Sequence, residues 1–507
     1  MHPCTRLRNS RSGWKQKALD RGALARGLRK RLSRAQRRSE ARQTELEERV
    51  RRLEVENAIL RSNAAISPTG ISVTRDPWIN HRTLCVLLVI QGVVAFRAIP
   101  RILRVFQRQN DAISVRPPHF TSVIHWTLRA GIAILQGVSR IKEPWIAVID
   151  CSIDIGTRKA LVVLRVPLAA LSRKHAAIGL QECECIGLKV ANRWNGDTVK
   201  DALTEIFNQA GRPSAILMDG GTDLKKGVRL YREQENAKRI WVLEDVGHTA
   251  ANGLKSEFAE SKAFTTFLDI LRKGAARIRQ TTLAALRPPQ VRTKGRFQGI
   301  TKVAEWALMI LELMGGQGRA EKNSELSRLR RAFSGLAQLR PFLRRFCGTC
   351  EVIERFLKLI KNNGINQAVY SEAKSILGEL PERSFTRQKM EAWLTRHLRI
   401  QCRLGIGQMG LLVSSDIIES LFGKFKEIVQ RHPCAELNRL IYVIPLLCGH
   451  HTAEEIDRSI RSCSHPEMLA TIADKIPPTL RQLRRKLLNP AWRKVPKPGN
   501  PQRCKAG

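Results

Sequence analysis

The hydrophobic pattern of this chain changes at Lys142 from helical spacing to the spacing of β-strands, and the order of elements that follows limits the possible folds. PWIAVIDCSIDIG is an apolar run ending in acids, ALVVLRV is a second strand and IGLKVA is a third. A helix beginning at Asp197 precedes a fourth strand, AILM, and a second helix precedes a fifth, IWVL. This order predicts a mixed sheet whose first three strands are antiparallel and whose later strands are linked through helices.

The rest of the chain shows mainly helical patterns. Segments rich in Leu, Arg and Lys run from about His248 to Arg403, and no strand pattern interrupts them. We interpret them as an all-helical insertion into the sheet domain, which then closes with late helices. The predicted fold class is therefore multidomain α+β, with a coiled coil and a helical region before the sheet.

The amino-terminal segment is strongly basic. Residues 1–38 hold 13 Lys or Arg and a single acid, Asp20, which predicts a disordered or weakly helical arm that lies on phosphates. A short heptad seam follows, and an Asn at one of its a positions favours a parallel dimer. The alternative is a solvated helix whose apolar stripe packs on its own chain. The seam consists of Leu46, Val50, Leu53, Asn57 and Leu60.

Three helical patterns follow a Pro- and Gly-containing linker and have the spacing of a helix-turn-helix. They cover Leu84–Ile90, Phe96–Phe106 and Thr121–Arg129. A small three-helix bundle without a DNA contact fits the pattern equally well. The charge favours DNA, because 88 Lys+Arg against 45 Asp+Glu give a net charge of +43. We expect Arg129, and Arg193 within the sheet domain, to contact DNA.

These patterns divide the chain into six segments. The last is a basic tail that we expect to be extended, since Pro477–Gly507 holds 9 Lys or Arg and no acid. The segments are a basic arm with a short coiled coil (1–63), a linker with the helix-turn-helix-like region (64–140), the first part of the sheet domain (141–258), the all-helical insertion (259–410), the closing helices of the sheet domain (411–475) and the tail (476–507).

Missing motifs exclude several classes of function. The longest nearly apolar run, Thr83–Phe96, is too short to span a bilayer, and the amino terminus lacks the apolar core of a secretory signal. Cys347 and Cys350 form a lone CxxC without a second half-site, which predicts incidental thiols rather than zinc. No Walker A loop, HExxH helix or GxSxG elbow is present in the sequence.

Acids at strand ends are conspicuous in a chain this basic. The strand order matches the ribonuclease-H-like fold, in which strands one and four are neighbours, so Asp150 and Asp219 at their ends would lie side by side. A third acid is then needed from a late helix, and SSDIIESLFGKFKE supplies Glu419. Three such carboxylates suit two Mg²⁺ ions that cut a phosphodiester, because Mg²⁺ prefers hard oxygen ligands.

The three candidate ligands each have a structural alternative. Asp154 is four residues after Asp150, on the same face of an extended strand, and could replace it. Asp219 precedes two glycines and could belong to a simple turn. Asp416 and Glu419 have the spacing of a capping box, with Asp416 accepting from the Glu419 backbone N–H and the Glu419 side chain reaching back.

Two residues after the fifth strand, and a tryptophan after the third, could also have either a functional or a purely structural role. Asp245 and His248 could assist a metal site, or they could cap a helix and lie on the surface. Trp194 follows Arg193 and could touch DNA, although a core position is the simpler interpretation.

Four segments, WIAVID, AILMDGG, EDVGHTAANGLK and SSDIIESLFGKFK, resemble a bacterial DDE transposase of the insertion-sequence type with a helical insertion in a ribonuclease-H-like catalytic domain. The resemblance covers roughly residues 80–470. It implies that Asp150 bridges two Mg²⁺ ions, for which Mn²⁺ can substitute, while Asp219 and Glu419 each help to hold one. It also implies a homodimer or higher multimer on double-stranded DNA, in the bacterial cytoplasm and nucleoid, without membrane contact.

Some members of that family place a Lys seven residues after the catalytic Glu to grip a phosphate. That position is Lys426 here, with Lys424 beside it, and we expect both to contact DNA. The Tyr and Arg that precede the Glu in those members fall at Leu412 and Ser415, so this chain departs from that part of the motif.

The sequence thus leads to a transposase that binds the terminal inverted repeats of a mobile element and carries out metal-dependent DNA cleavage and strand transfer. One alternative is a DNA-binding regulator, or a domesticated relative, that does not cut. Another is a structure-selective nuclease on the same fold. The presence of three suitable acids favours an enzyme.

Overall fold

A computed structural model of the protein describes residues 48, 77–109, 117–153, 159–174, 178–235, 239–291, 297, 299–315, 321, 324–429, 437–476 and 478–488. Residues 76–507 belong to one compact unit, and residues 1–75 form a second unit. The predicted basic arm and coiled coil therefore fall outside the described residues, apart from Glu48 in a helical turn.

A five-stranded mixed sheet organises the compact unit, in the order β3-β2-β1-β4-β5. β1 pairs antiparallel with β2, and β2 with β3, whereas β4 runs parallel to both β1 and β5. The predicted strand order and the predicted antiparallel start are both confirmed. The strands are β1 (Trp145–Ile153), β2 (Lys159–Pro167), β3 (Glu184–Ala191), β4 (Ala215–Met218) and β5 (Trp241–Glu244).

Side chains alternate between the two faces of the sheet, so each strand contributes to two separate cores. In β1, Ile146 and Val148 join one buried cluster, while Ala147 and Ile149 join the other. Helices α5 (Gly196–Ala210) and α6 (Thr222–Gln234) cover the second face. The first face carries α7 (Val246–Phe258) and α14 (Asp416–Val429), and it is the face to which the candidate acids belong by their register.

The helical insertion predicted for residues 259–410 contains only helices among its described residues, except for one bridge between Ile365 and Leu411. It docks on the sheet through α13, where Trp393 Nε1 donates to the Glu244 carbonyl at 3.0 Å. The helices around this region are α7 (Val246–Phe258), α8 (Lys262–Ile278), α9 (Thr301–Met314), α10 (Glu325–Ala332), α11 (Arg340–Asn363), α12 (Gln367–Gly378) and α13 (Phe385–Leu404).

Three helices precede the sheet, as predicted, but they do not form a separate domain. They are α1 (Pro77–Ile90), α2 (Ile99–Gln109) and α3 (Phe120–Gln136). α3 is largely buried, and its Gly131 lies so close to the backbone of Tyr442 that an added Cβ would be 1.8 Å from the Tyr442 carbonyl oxygen. The face of α3 that carries Gly131 is therefore covered by the protein's own backbone and is not available to DNA.

Arg129 on α3 was a wrong prediction as a DNA contact. Its Nε donates to the Cys463 carbonyl at 2.5 Å, and its guanidinium also donates to the Ile460 carbonyl at 2.6 Å. These carbonyls lie at the end of α15 (Ala453–Ser462), so the arginine caps that helix. The start of α3 also differs from the expectation, because His119 rather than Thr121 occupies the N-cap position.

The chain closes with four helices and a 3₁₀ segment, Arg439–Leu447, that is buried against α3. The helices are α14 (Asp416–Val429), α15 (Ala453–Ser462), α16 (His465–Lys475) and α17 (Leu480–Leu488). The last lies in the basic tail, so the expectation of an extended tail was wrong for those residues, and the rest of the tail after it lies outside the described residues. The remaining helix, α4 (Leu168–Lys174), follows β2. None of the described helices has the length and apolar character needed to cross a bilayer.

Candidate active site

The strand register places Asp150 and Asp219 at corresponding positions on neighbouring strands. The last parallel pair of β1 and β4 is Ile149 with Met218, and each acid follows directly. Neighbours in register point to the same face of a sheet. The prediction that Asp150 ends its strand was wrong in detail, because β1 continues to Ile153 through its pairing with β2 beyond the end of β4.

Asp150 carries an unusually unfavourable negative charge. Burial raises its pKa, the nearby Asp219 raises it further, and Glu419 adds to the repulsion, so the pKa is about 7. The backbone N–H of Cys151 donates to Asp150 Oδ1 at 2.6 Å, and together with His248 it opposes this shift without cancelling it. The carboxyl group therefore needs a cation or a proton beside it near neutral pH.

Asp219 is both a turn residue and a member of this acidic group. Its Oδ1 accepts from the Gly221 backbone N–H at 2.8 Å, which stabilises the turn into α6. Gly220 has a φ of +90°, a conformation that favours glycine. The turn fixes one carboxylate oxygen, and Oδ2 accepts no hydrogen bond from the described residues, so this oxygen can bind a ligand.

Glu419 lies on the first turn of α14, which packs on the same face of the sheet. Its side chain is exposed, and among the described residues nothing donates a hydrogen bond to it or forms an ion pair with it. It is nevertheless near enough to Asp150 to raise the pKa of that group. Three acids from distant parts of the sequence thus meet at one edge of the sheet.

The predicted capping box at the start of α14 is not formed. Asp416 is the first helical residue, its N–H donates to Ser414 Oγ at 3.4 Å, and its carboxylate pairs with Lys361 at 2.6 Å. A residue inside the first turn cannot turn its side chain back to the Glu419 N–H as an N-cap does. Neither Asp416 nor Glu419 therefore acts as the cap.

Asp245 connects β5, α7 and α14 through a buried carboxylate. Its Oδ1 accepts from the His248 backbone N–H at 2.7 Å, which makes Asp245 the N-cap of α7. Its Oδ2 accepts from the backbone N–H of Ser415 at 2.7 Å and from the Ser415 hydroxyl at 3.0 Å. The capping interpretation of Asp245 is confirmed, but its surface position was wrong, since only 3% of the residue is exposed.

The hydrogen bonds to Asp245 decide its charge. Burial alone would raise its pKa, but the hydrogen bonds from His248 and Ser415 outweigh burial and lower the pKa. In turn, the hydrogen bond to Asp245 raises the pKa of His248 against the effect of burial, and Asp219 and Asp150 raise it further. His248 therefore belongs to the acidic group and partly balances its charge.

The remaining residues that the sequence singled out lie at different distances from the three carboxylates. Lys426 is exposed on the same side of α14 as Glu419, two turns further along, and Lys424 is partly buried at the wall shared by two surface cavities. Arg193 is exposed after β3, and Asp154 lies outside the described residues. The core interpretation of Trp194 is confirmed, because the ring is buried and its Nε1 donates to the Lys159 carbonyl at 3.0 Å.

A cavity of about 460 Å³ opens between α7, α11 and the start of α14, and Glu419 is the only one of the three candidate ligands that lines it. His248 also lines the cavity, together with apolar side chains such as Phe297 and Leu357. Lys361 lines it from α11, a residue that the sequence analysis did not single out. The helical insertion therefore contributes to the wall of this cavity.

The donor set fits a divalent cation, although it does not form a ready cage. Within the described ranges, no three His, Cys, Asp or Glu side chains are arranged closely enough to hold a metal ion. The three carboxylates are hard oxygen donors, and the raised pKa of Asp150 reflects negative charge that a cation would compensate. Cys347 and Cys350 are unsuitable, since both are buried thiols in α11 whose pKa is raised by burial.

Comparison with protein-family models found no match, and a search of curated proteins found no similar sequence. The chemistry of the site must therefore be inferred from its own residues. Those residues are a pair of strand-end aspartates, an exposed glutamate on a packed helix and a histidine held by a buried aspartate.

Proposed function

We propose that this protein is a DDE-type DNA transposase that uses Asp150, Asp219 and Glu419 to cut and join DNA. The convergence of these three acids carries the proposal, because segments 69 and 200 residues apart along the chain supply carboxylates that act electrostatically on one group. The sheet order and strand directions are those expected of a ribonuclease-H-like core. Glu419 has no structural task among the described residues that would otherwise explain it.

Asp150, Asp219 and Glu419 would hold the Mg²⁺ ions, which would supply charge neutralisation on the phosphate and activation of the attacking oxygen. The chain's own contribution is to hold the carboxylates in place. The β1–β4 register fixes the two aspartates, and Asp245 fixes the start of the helix that bears Glu419. His248 limits the repulsion between the acids when no cation is bound.

Double-stranded DNA is the substrate that the charge of the chain favours. A net charge of +43 attracts a polyanion, and the acidic group is the exception that needs a chemical reason. The ends of a mobile element and a target site are the DNA segments that such an enzyme joins, and two ends are brought together by a homodimer or higher multimer.

Cleavage of a supercoiled plasmid carrying the element's ends tests the proposal. The ends can be found as inverted repeats in the DNA that flanks the gene. With Mg²⁺ present, we expect nicking and strand transfer by the parent and a loss of at least a hundredfold for Glu419→Gln. The matched control is Glu427→Gln, which removes an exposed acid from the same helix and should cut like the parent.

Each result has a clear meaning. Equal cutting by the parent and Glu419→Gln would remove Glu419 from the mechanism. Sequence-specific binding of the ends without any cutting by the parent would identify a DNA-binding regulator instead. Cutting of branched DNA with no dependence on the element's ends would identify a structure-selective nuclease.

A further inference from the structure

Helix α2 exposes a row of arginines that no described contact explains. Arg101, Arg104 and Arg108 follow one another at spacings of three and four residues, so they share one face of the helix. All three are exposed, and no hydrogen bond or ion pair joins them to the described residues. On the opposite side Ile99 is fully buried and anchors the helix to the core.

The other described arginines of this region each have a contact within the protein, which the arginines of the row lack among the described residues. Arg129 caps α15, Arg140 donates to the Asn208 carbonyl at 2.9 Å, and Arg82 and Arg97 lie over the rings of Trp126 and Phe120. The segment is also almost free of acids. Residues 77–140 contain eight Arg, no Lys and only one acid, Asp111.

The charge of the row is therefore not compensated within the described part of the region. Unpaired arginines at a solvated helix face cost little in a monomer, but they raise the local positive potential. From Arg101 to Arg108 the row extends about 10 Å along the helix axis. That length is close to the width of about 12 Å of the major groove of DNA, so the row can reach the phosphates that border a groove.

The exposed neighbours of the row are compatible with this use. Val105 is 58% exposed and lies beside the row on the helix surface, so it places apolar atoms next to the cationic side chains. Phe106 is 59% exposed but projects to the side of the helix that carries Ile99, away from the row. A docking face for another protein could also use Val105, and the experiment below separates the two occupants.

We propose that the Arg101–Arg104–Arg108 face of α2 binds the phosphate backbone of duplex DNA, and that α2, rather than the buried α3, is the DNA-contacting helix of the amino-terminal region. This inference rests on the proposed function, since it names where a DNA-cutting enzyme holds its substrate. The three arginines would then contribute to the affinity for DNA, but not to the recognition of its base sequence.

The test is equilibrium binding of the full chain to a fluorescent duplex of mixed sequence, measured across a range of salt concentrations. For the variant Arg101→Gln/Arg104→Gln/Arg108→Gln we expect a loss in affinity on the order of a hundredfold at physiological salt. The slope of log affinity against log salt should fall by about 0.9 for each phosphate contact removed, about 2.7 in all.

The control variant is Arg328→Gln/Arg331→Gln/Arg344→Gln, which removes the same charge from exposed positions of α10 and α11. It should retain most of the affinity and the slope. Equal losses in both variants would show an effect of net charge alone and overturn the inference. Unchanged binding by the α2 variant would also overturn it, and a changed oligomeric state of Val105→Ser would then identify a protein-docking face.

The plasmid assay keeps this result separate from the proposed function. If the parent cuts the element's ends and the α2 variant binds duplex DNA as the parent does, only the inference fails. If the parent does not cut DNA while the α2 variant loses affinity as expected, the inference holds and the proposed catalysis fails.

Discussion

Asp245 joins two segments that are 170 residues apart, because its Oδ2 accepts hydrogen bonds from both the backbone N–H and the hydroxyl of Ser415. A second link runs in parallel, from the Val246 N–H to the Val413 carbonyl at 3.0 Å. Ser415 precedes α14, and Glu419 is one turn inside that helix. The position of the candidate catalytic glutamate therefore depends on a carboxylate outside the catalytic group.

Asp245→Asn should destabilise the protein. An amide has one acceptor oxygen where the carboxylate has two, so either the Ser415 N–H or the His248 N–H loses its partner in a buried place. We expect the free energy of unfolding to fall by about 1 to 3 kcal/mol, measured by urea denaturation. The control Asp269→Asn changes a half-exposed side chain with only surface ion pairs, to Arg272 and Lys273, and should lower stability by less than about 1 kcal/mol. Equal effects of the two substitutions would contradict this role for Asp245.

Asp150→Asn should change how stability depends on pH. The pKa of Asp150 is raised to about 7, above its value in the unfolded chain, so the folded state binds the proton more tightly. The stability that comes from the protonated form is complete below about pH 4 and is lost as the pH rises through about 7. The asparagine variant should therefore match the parent at low pH and exceed it above pH 7.

We expect the free energy of unfolding of Asp150→Asn to exceed that of the parent by about 2 to 4 kcal/mol above pH 7, because solvent screens part of the repulsion. Urea denaturation of parent and variant at a series of pH values, without divalent cations, measures the difference directly. A difference that does not vary between pH 4 and pH 8 would show that the Asp150 charge is not under strain in the folded protein.

Magnesium should stabilise the folded parent at pH 8, where the three carboxylates are most repulsive. A cation that binds only the folded state raises the melting temperature as its concentration increases. We expect this rise for the parent and for Glu427→Gln, and a much smaller one for Asp150→Asn and Asp219→Asn. Thermal melting with Mg²⁺ and with Ca²⁺ checks this without any activity, and an equal rise in all variants would place the cation elsewhere.

The elements that could be predicted from the sequence are those determined by the hydrophobic pattern of a single short segment. Ala215–Met218 is a short apolar run between turn residues, so the strand was predicted at its true bounds. The adjacency of Asp150 and Asp219 was expected from the resemblance of the element order to a ribonuclease-H-like fold, in which strands one and four are neighbours. The end of β1 could not be predicted in this way. Residues 151–153 are extended because they pair with β2, and the sequence of β1 alone does not show that pairing.

Interactions between distant segments explain the other differences. Asp416 has the sequence of a cap, but the ion pair with Lys361 and the hydrogen bonds between Ser415 and Asp245 set the start of α14 instead. Arg129 looks like an arginine free for DNA until α15, more than three hundred residues later in the chain, is seen against it. The sequence left open whether His248 assists the acids or lies on the surface, and its contact with Asp245 and its effect on the pKa of Asp150 favour the first.

Gly131→Ala tests whether α3 is buried as described or free to bind DNA. The added Cβ would lie 1.8 Å from the Tyr442 carbonyl oxygen, and because that atom belongs to the backbone it cannot move aside as a side chain would. We expect the free energy of unfolding to fall by at least about 1 to 3 kcal/mol. The control Gly378→Ala, in a helix with open space at the Cβ position, should be neutral or stabilise by up to about 1 kcal/mol. If both substitutions stabilised the protein, α3 would be a free helix, and the assignment of DNA binding to α2 would lose its main support.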